Sequence, residues 1–125
     1  MHELSIAAAV AESAEHTARR HGASSVEAVR LRVGELSGVV ADALRFSFEV
    51  VAEGTPLADA ELLIEEVPAR ARCGECALEF AAGTPLRLWC PGCGGTATEL
   101  VAGRELEIVD VTLPEDGVCP GARSA

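Results

Sequence analysis

The sequence Cys73-Gly74-Glu75-Cys76, followed after thirteen intervening residues by Cys90-Pro91-Gly92-Cys93, decides how this chain is organised. Each Cys-x-x-Cys pair can form a tight turn that directs both thiolates at one point, and glycine and proline supply the backbone conformations that such turns need. Four converging thiolates about 2.3 Å from a common ion form a closed tetrahedral Zn²⁺ site. A closed site has no open position for a substrate water, so the pattern predicts a structural metal.

Other uses of the two cysteine pairs fit less well. A disulfide framework is typical of small secreted chains, and we expect no signal peptide at the start of this sequence. A thioredoxin-like redox motif needs only one Cys-x-x-Cys, placed between a strand and a helix. Iron in a rubredoxin-like site would use the same four thiolates, so iron stays open as the alternative to zinc.

The composition favours a cytoplasmic protein that binds neither nucleic acid nor membrane. The formal net charge is -10 and every basic residue is an arginine, so the chain lacks the clustered Lys and Arg that contact phosphates. No apolar run approaches the length of a membrane span. Because the cysteines are expected to be reduced and no export signal is expected, we predict a cytosolic location.

Hydrophobic spacing outside the cysteine stretch predicts two helices and three strands. Alanines at helical spacing indicate a first helix from about Leu4 to His21, and the second runs from about Val39 to Glu53. The predicted buried face of the second helix consists of Val40, Leu44, Ser47 and Val51, widened by Ala43, Phe46 and Val50. Alternation of apolar and polar residues predicts strands at residues 26–33, 60–67 and 104–112.

These elements predict an α+β fold, with two helices on a mixed three-stranded sheet and an inserted zinc-ribbon-like module held by four cysteines. The first two strands are expected to be parallel, and the second and third, joined through the insert, to be antiparallel neighbours. The α+β domain then takes residues 1–68 and 103–113, and the zinc-binding domain takes residues 69–102. Residues 114–125, which include Cys119, are predicted to form a loose C-terminal tail.

The N-terminus offers a second and different metal site. His2 can chelate through its imidazole, its own amide nitrogen and the α-amine of Met1, and the amide of Glu3 can complete four nitrogens in a plane. Square-planar nitrogen sets select Ni²⁺ or Cu²⁺ over Zn²⁺. Amides at the start of a helix have no intrahelical partner, so a metal can displace their protons without breaking the helix. The alternative interpretation is an exposed, solvated histidine ahead of a helix.

Several stretches of the chain, in order, resemble the HypA/HybF family of hydrogenase nickel-incorporation proteins. They are the opening Met1-His2-Glu3-Leu4-Ser5-Ile6-Ala7, residues 33–39 (VGELSGV), 43–48 (ALRFSF) and 53–57 (EGTPL), the two cysteine pairs, and residues 103–106 (GREL). The resemblance runs from Met1 to about Val111. It departs from the family at Ala77, where a glycine commonly follows the first cysteine pair.

This resemblance implies a nickel metallochaperone for [NiFe]-hydrogenase maturation. It implies Ni²⁺ bound at Met1, His2 and Glu3, a HypB-type GTPase partner, and delivery to the hydrogenase large-subunit precursor. It also implies a zinc site formed by Cys73, Cys76, Cys90 and Cys93. We expect a monomer or weak homodimer. Because the sequence has no lysine, it has no Gly-x-x-x-x-Gly-Lys nucleotide loop, and any GTP hydrolysis belongs to a partner.

Two other classes of protein remain open. A zinc-ribbon adaptor for proteins or nucleic acid would need a basic, aromatic-bearing face, and only Arg70, Arg72, Arg87 and Trp89 approach the cysteines. A rubredoxin-like electron carrier would be isolated with iron. An enzyme is disfavoured, because no nucleophile and base are paired in the sequence and the four-cysteine site is closed.

Overall fold

The computed structural model describes residues 3–83, 85–114 and 117–120. Its elements are α1 (Glu3–Arg20), β1 (Ala28–Gly34), α2 (Ala41–Ala52), β2 (Glu61–Val67), β3 (Arg70–Cys73), β4 (Glu79–Ala81), β5 (Thr98–Ala102), β6 (Leu106–Leu113) and β7 (Gly117–Pro120). The strands form two sheets, with the orders β2-β1-β6-β7 and β4-β3-β5. Among these residues neither helix combines the length and the apolar character that crossing a membrane requires.

The larger sheet confirms the predicted α+β fold of two helices on a mixed sheet. Its central strand β1 is parallel to β2 and antiparallel to β6. Val29, Leu31 and Val33 of β1 are buried, because alternate strand residues share one face. Both helices cover that face, and α1 does so with small residues that allow close packing, among them Ala7, Ala11, Ala14 and Ala18. The other face carries ion pairs such as Arg30 with Asp110, at 3.8 Å.

The order of the strands differs from the prediction. The expectation that β2 and β6 are neighbours is wrong, because β1 lies between them. In the observed order β1 forms hydrogen-bonded ladders along both edges. Direct pairing of β2 with β6 would leave one edge of this apolar strand without partners for its backbone groups, which is unfavourable. The long insert lets the chain cross the end of β1.

The stretch after residue 113 also differs from the prediction. Gly117–Pro120 are not loose but form β7, antiparallel to β6, with Cys119 opposite Val111. Proline is typical of loose tails, yet Pro120 is accepted in an edge strand because its missing N–H is not needed there. Residues 115, 116 and 121–125 lie outside the described residues, so the rest of the predicted tail stays a prediction.

The buried face of α2 is the third difference. Leu44 is buried as predicted and is joined by Phe48 and Ala52. Phe46 and Val50, predicted to widen this face, are 68% and 51% exposed. Because α2 carries apolar residues on several sides, its hydrophobic spacing does not select a single face. Packing against α1 and the sheet determines which side of α2 is buried.

The smaller sheet has a separate and very small core. Its buried members are Ala69, Ala71, Cys73, Phe80, Ala82 and Cys90. Only one of these side chains is large, and two are cysteines of the predicted metal site. So little apolar burial is insufficient to hold a unit of this size together without a metal or a cross-link.

Candidate metal centre

The two Cys-x-x-Cys turns bring all four cysteines to one point. Cys73 ends β3 and Cys76 lies in the turn before β4, while Cys90 and Cys93 lie in the segment that precedes β5. The four Sγ atoms lie within 4.8 Å of one another. Within the described residues no other group of three or more metal-ligating side chains converges in this way. The structure therefore brings together the zinc residues that the sequence predicts.

The distances between the sulfurs fit a tetrahedral metal ion. The Sγ atoms of Cys73 and Cys93 are 3.6 Å apart, and those of Cys76 and Cys90 are 3.5 Å apart. Four thiolates about 2.3 Å from one ion would be separated by about 3.8 Å. A disulfide would bring two sulfurs to about 2.05 Å, so the geometry fits a metal site and not a disulfide. Tetrahedral sulfur sets suit zinc and iron centres alike.

Backbone amides stabilise the charged form of the two buried cysteines. Cys73 Sγ accepts the N–H groups of Glu75 and Cys76, at 3.4 and 3.5 Å. Cys90 Sγ accepts the N–H groups of the residues two and three positions later, at 3.3 and 3.5 Å. The amide of Cys76, followed by that of Glu75, lowers the pKa of Cys73. The same arrangement lowers the pKa of Cys90 to about 7, because hydrogen bonds to a thiolate favour it.

The two exposed cysteines are harder to ionise. The Leu78 amide favours the Cys76 thiolate, but the Cys90 thiol, partial desolvation and the Cys73 thiol together raise the pKa of Cys76. The Gly95 amide favours the Cys93 thiolate, but the surrounding cysteine thiols raise the pKa of Cys93 to about 12. A bound divalent cation deprotonates its thiol ligands. The backbone thus favours the thiolate forms of Cys73 and Cys90, whereas Cys76 and Cys93 need the charge of a bound cation to lose their protons.

Each turn closes with a left-handed residue directly after its second cysteine. Ala77 donates its N–H to the carbonyl of Cys73 at 3.0 Å, and Gly94 donates to that of Cys90 at 2.9 Å. The φ angles are 63° at Ala77 and 74° at Gly94. Among the described residues Ala77 alone combines a side chain with a positive φ. The departure from the family pattern at Ala77 therefore strains the first turn and leaves the ligands in place.

The metal-binding module is attached to the larger sheet where β1 ends. Glu35 Oε1 accepts the N–H of Ala69 at 2.8 Å, and its carboxylate occupies the space that a Cβ on Gly83 would need. Leu36 packs against the small core and donates its N–H to the Gly103 carbonyl at 2.6 Å. Both connections into the module, at Ala69 and Gly103, thus contact the segment that follows β1. These contacts were not predicted, because the partners are distant along the chain.

At the N-terminus, Met1 and His2 lie outside the described residues. Glu3 begins α1, and its Oε2 accepts the N–H of Val40, the N-cap residue of α2, at 3.3 Å. A carboxylate is favourable there because the start of a helix is its positive end. The contact brings the beginning of α1 next to the beginning of α2. It was not predicted, since no local pattern links residues so far apart.

The arginines of the module do not form a basic face. Arg72 pairs with Glu79 at 3.4 Å, and Arg87 stacks over the ring of Trp89 at 5.5 Å. The charged residues of the module balance: Arg70, Arg72 and Arg87 against Glu75, Glu79 and Glu99. A nucleic-acid adaptor requires an excess of positive charge, so the charge distribution speaks against that alternative.

Sequence similarity to known proteins covers nearly the whole chain. Residues 1–113 match the family described as "Hydrogenase/urease nickel incorporation, metallochaperone, hypA". The hydrogenase maturation factor HypA of Streptomyces avermitilis is 52% identical over 118 residues, which are 94% of this chain and 89% of that protein. The factor of the same name from Chloroflexus aggregans is 50% identical over 114 residues, which are 91% of this chain and 100% of that protein.

The fold is similar to two solved structures. The solution structure of the Ni metallochaperone HypA from Helicobacter pylori has a TM-score of 0.63 at 23% identity, covering 90% of this chain and 97% of that one. A further solution structure, of a HypA protein, has a TM-score of 0.67 at 24% identity, covering 90% of this chain and 96% of that one. At such identities the likeness concerns the fold alone.

Proposed function

Since this chain belongs to the HypA family of hydrogenase/urease nickel-incorporation metallochaperones, we propose that it binds Ni²⁺ at its own N-terminus and delivers it during [NiFe]-hydrogenase maturation. The proposed ligands are the α-amine of Met1, the imidazole and amide of His2, and the amide of Glu3. The observation that carries the proposal is the match of residues 1–113, which include Met1, His2 and Glu3, to a family of nickel-incorporation metallochaperones. Glu3 also begins α1, and the first amides of a helix have no acceptor within the helix itself.

The second part of the proposal is a structural Zn²⁺ held by Cys73, Cys76, Cys90 and Cys93. It is supported by the tetrahedral spacing of the sulfurs, the amides that stabilise two thiolates and the small core of the module. We propose residues 69–102 as the zinc-binding domain, and residues 1–68 with 103–113 as the nickel-binding α+β domain. When bound, zinc would supply positive charge and would cross-link the chain at four cysteines, and it would take no part in a reaction. Four reduced thiols suit the cytoplasm, where we place the protein.

The proposed partners are a HypB-type GTPase and the hydrogenase large-subunit precursor. Family membership supports them, and the lack of any lysine in the chain agrees with nucleotide hydrolysis on a partner. We propose a monomer or weak homodimer as the working form. Nickel would then pass from one chain end to the recipient protein without a catalytic step on this chain.

A nickel titration tests the proposal. Untagged wild type with a genuine Met1, His2→Ala and a form extended before Met1 are titrated with Ni²⁺, followed by d–d absorbance and calorimetry. We expect only wild type to bind tightly, although the extended form keeps every side chain. Binding should weaken below about pH 6, because protons compete for an imidazole of pKa about 6.5 and an amine of pKa about 8.

The same samples provide the control. Zinc content and unfolding temperature should be equal in all three, because neither change alters a residue of the two described cores. Equal nickel binding by the three forms would place the site elsewhere and overturn the proposal. Metal analysis of the purified protein addresses the remaining alternative: a rubredoxin-like carrier would contain iron in place of zinc.

A further inference from the structure

The outer side of α2 presents an apolar pair that the fold leaves uncovered. Phe46 and Val50 lie four residues apart, on one side of the helix, and are 68% and 51% exposed. The chain has only three phenylalanines and one tryptophan. The other two phenylalanines, Phe48 and Phe80, are buried. Exposure of Phe46 is therefore a local property of this face and not a consequence of a core too small for aromatics.

Carboxylates border the apolar pair. At about 100° per residue, Asp42, Glu49 and Glu53 project within about 60° of Phe46 around the helix axis, and all three are exposed. Asp42 pairs with Arg45 at 3.1 Å. Glu49 and Glu53 form no ion pair with another described residue. The last turn of α2 carries no basic residue, and acidic groups there oppose the negative end of the helix. Glu49 and Glu53 therefore do not serve the stability of the helix.

We propose that this face, Phe46 and Val50 with the rim of Asp42, Glu49 and Glu53, docks a partner protein whose apolar pocket is bordered by Arg or Lys. A large aromatic residue within a polar rim has the anatomy of an interaction hot spot. The chain has a net charge of -10 and the rim is acidic, so a second copy, a nucleic acid and an anionic membrane are all repelled. A basic protein surface is attracted.

The face lies on the helix whose start contacts Glu3, one residue of the proposed nickel site. Phe46 is six residues beyond Val40, about 9 Å along the helix axis, and the Val40 N–H binds the Glu3 carboxylate. A protein bound at Phe46 would therefore lie on the same helix that contacts the start of α1. The identity of the partner rests on the proposed function, which makes it a protein that exchanges nickel with this chain. The face itself does not depend on nickel binding.

Affinity measurements on surface variants test the docking face. The probes are the HypB-type GTPase and the hydrogenase large-subunit precursor of the same organism, titrated into wild type, Phe46→Ser and Val50→Ser. We expect Phe46→Ser to raise the Kd for at least one probe by about tenfold or more, and Val50→Ser to raise it by less. Leu88→Ser is the matched control, since Leu88 is 50% exposed on the zinc-binding module and should not affect binding.

The acidic rim has its own control. The double variant Glu49→Gln/Glu53→Gln should lower the association rate and its dependence on salt. Glu12→Gln, an exposed carboxylate on α1, should change neither. Unfolding temperature and nickel stoichiometry should remain those of wild type in Phe46→Ser, which separates this proposal from the nickel proposal.

Three results would overturn the docking proposal. The first is equal binding of both probes to wild type and Phe46→Ser. The second is no binding of either probe to wild type. The third is a Phe46→Ser variant that differs from wild type only in self-association during sedimentation, because the face would then be an interface between copies of this chain.

Discussion

Replacing Ala77 with glycine should tighten zinc binding by relieving the left-handed residue that closes the first cysteine turn. The Ala77 side chain is exposed, so its removal loses no buried contact. The reciprocal change, Gly94→Ala, introduces the same conformation with a side chain into the second turn. A Cβ at Gly94 would meet no atom within 4 Å. The two substitutions therefore act through backbone conformation alone and in opposite directions.

The expected effect is small and can be worked out. A left-handed conformation costs an L-residue roughly 1–2 kcal/mol. Glycine has more conformational entropy in the unfolded chain than alanine, and this difference offsets about 0.4–1 kcal/mol of the left-handed cost. The balance favours Ala77→Gly, and disfavours Gly94→Ala, by about 0.5–1 kcal/mol. Folding of a small metal module and metal binding form one equilibrium, so this corresponds to a change of about two- to fivefold in the Kd for zinc.

Competition with a chromogenic chelator at constant pH measures this change. We expect the affinities to rank Ala77→Gly above wild type and wild type above Gly94→Ala. The double variant Ala77→Gly/Gly94→Ala should return close to wild type, because it moves the strain from one turn to the other. Wild-type affinity in both single variants would refute the reasoning. It would show either that the positive φ at residue 77 carries no strain or that zinc binds without folding the module.

Two further predictions concern the module and its attachment. Cys90→Ala should abolish stoichiometric zinc binding and unfold residues 69–102, because the small core cannot hold them together without the ion. The α+β domain should still unfold cooperatively. Full zinc content in a folded module would contradict this prediction. Glu35→Ala should broaden the orientation of the module in residual dipolar couplings and lower the free energy of unfolding by about 1 kcal/mol. Glu35→Gln keeps an acceptor for the Ala69 amide and should therefore leave both the orientation and the free energy of unfolding unchanged. An unchanged orientation in Glu35→Ala would show that the carboxylate does not position the module.

Local patterns were sufficient to predict both helices, three strands of the larger sheet and the four-cysteine cluster. The spacing within each Cys-x-x-Cys pair dictates a turn, and a turn with two thiolates has few uses. Alternation in residues 26–33 and 60–67 likewise predicts half-buried strands, because the period of two is a direct property of the extended chain. In these cases the cause lies within a few residues of its effect.

Other features depend on contacts that no local pattern encodes. Phe46 has the spacing of a core residue and is nevertheless exposed, because the neighbouring elements choose which side of an apolar helix is buried. The position of β1 between β2 and β6 satisfies backbone groups on both edges of β1, which is a property of the whole sheet. The contacts of Glu3 with Val40 and of Glu35 with Ala69 join residues more than thirty positions apart.

The position of the zinc module within the chain has a consequence for how the protein is made. β6 pairs with β1, with Thr112 opposite Ala28, so most of the chain must leave the ribosome before the central strand gains its second partner. Pairing across so long a loop is slow, because the entropy of closure is lost before the contacts form. An ion that binds Cys73 and Cys93 early contracts the intervening chain and shortens that search. We therefore expect the supply of the proposed zinc during synthesis to affect how fast the larger sheet is completed, and a nascent chain without the ion to expose the apolar edge of β1 for longer.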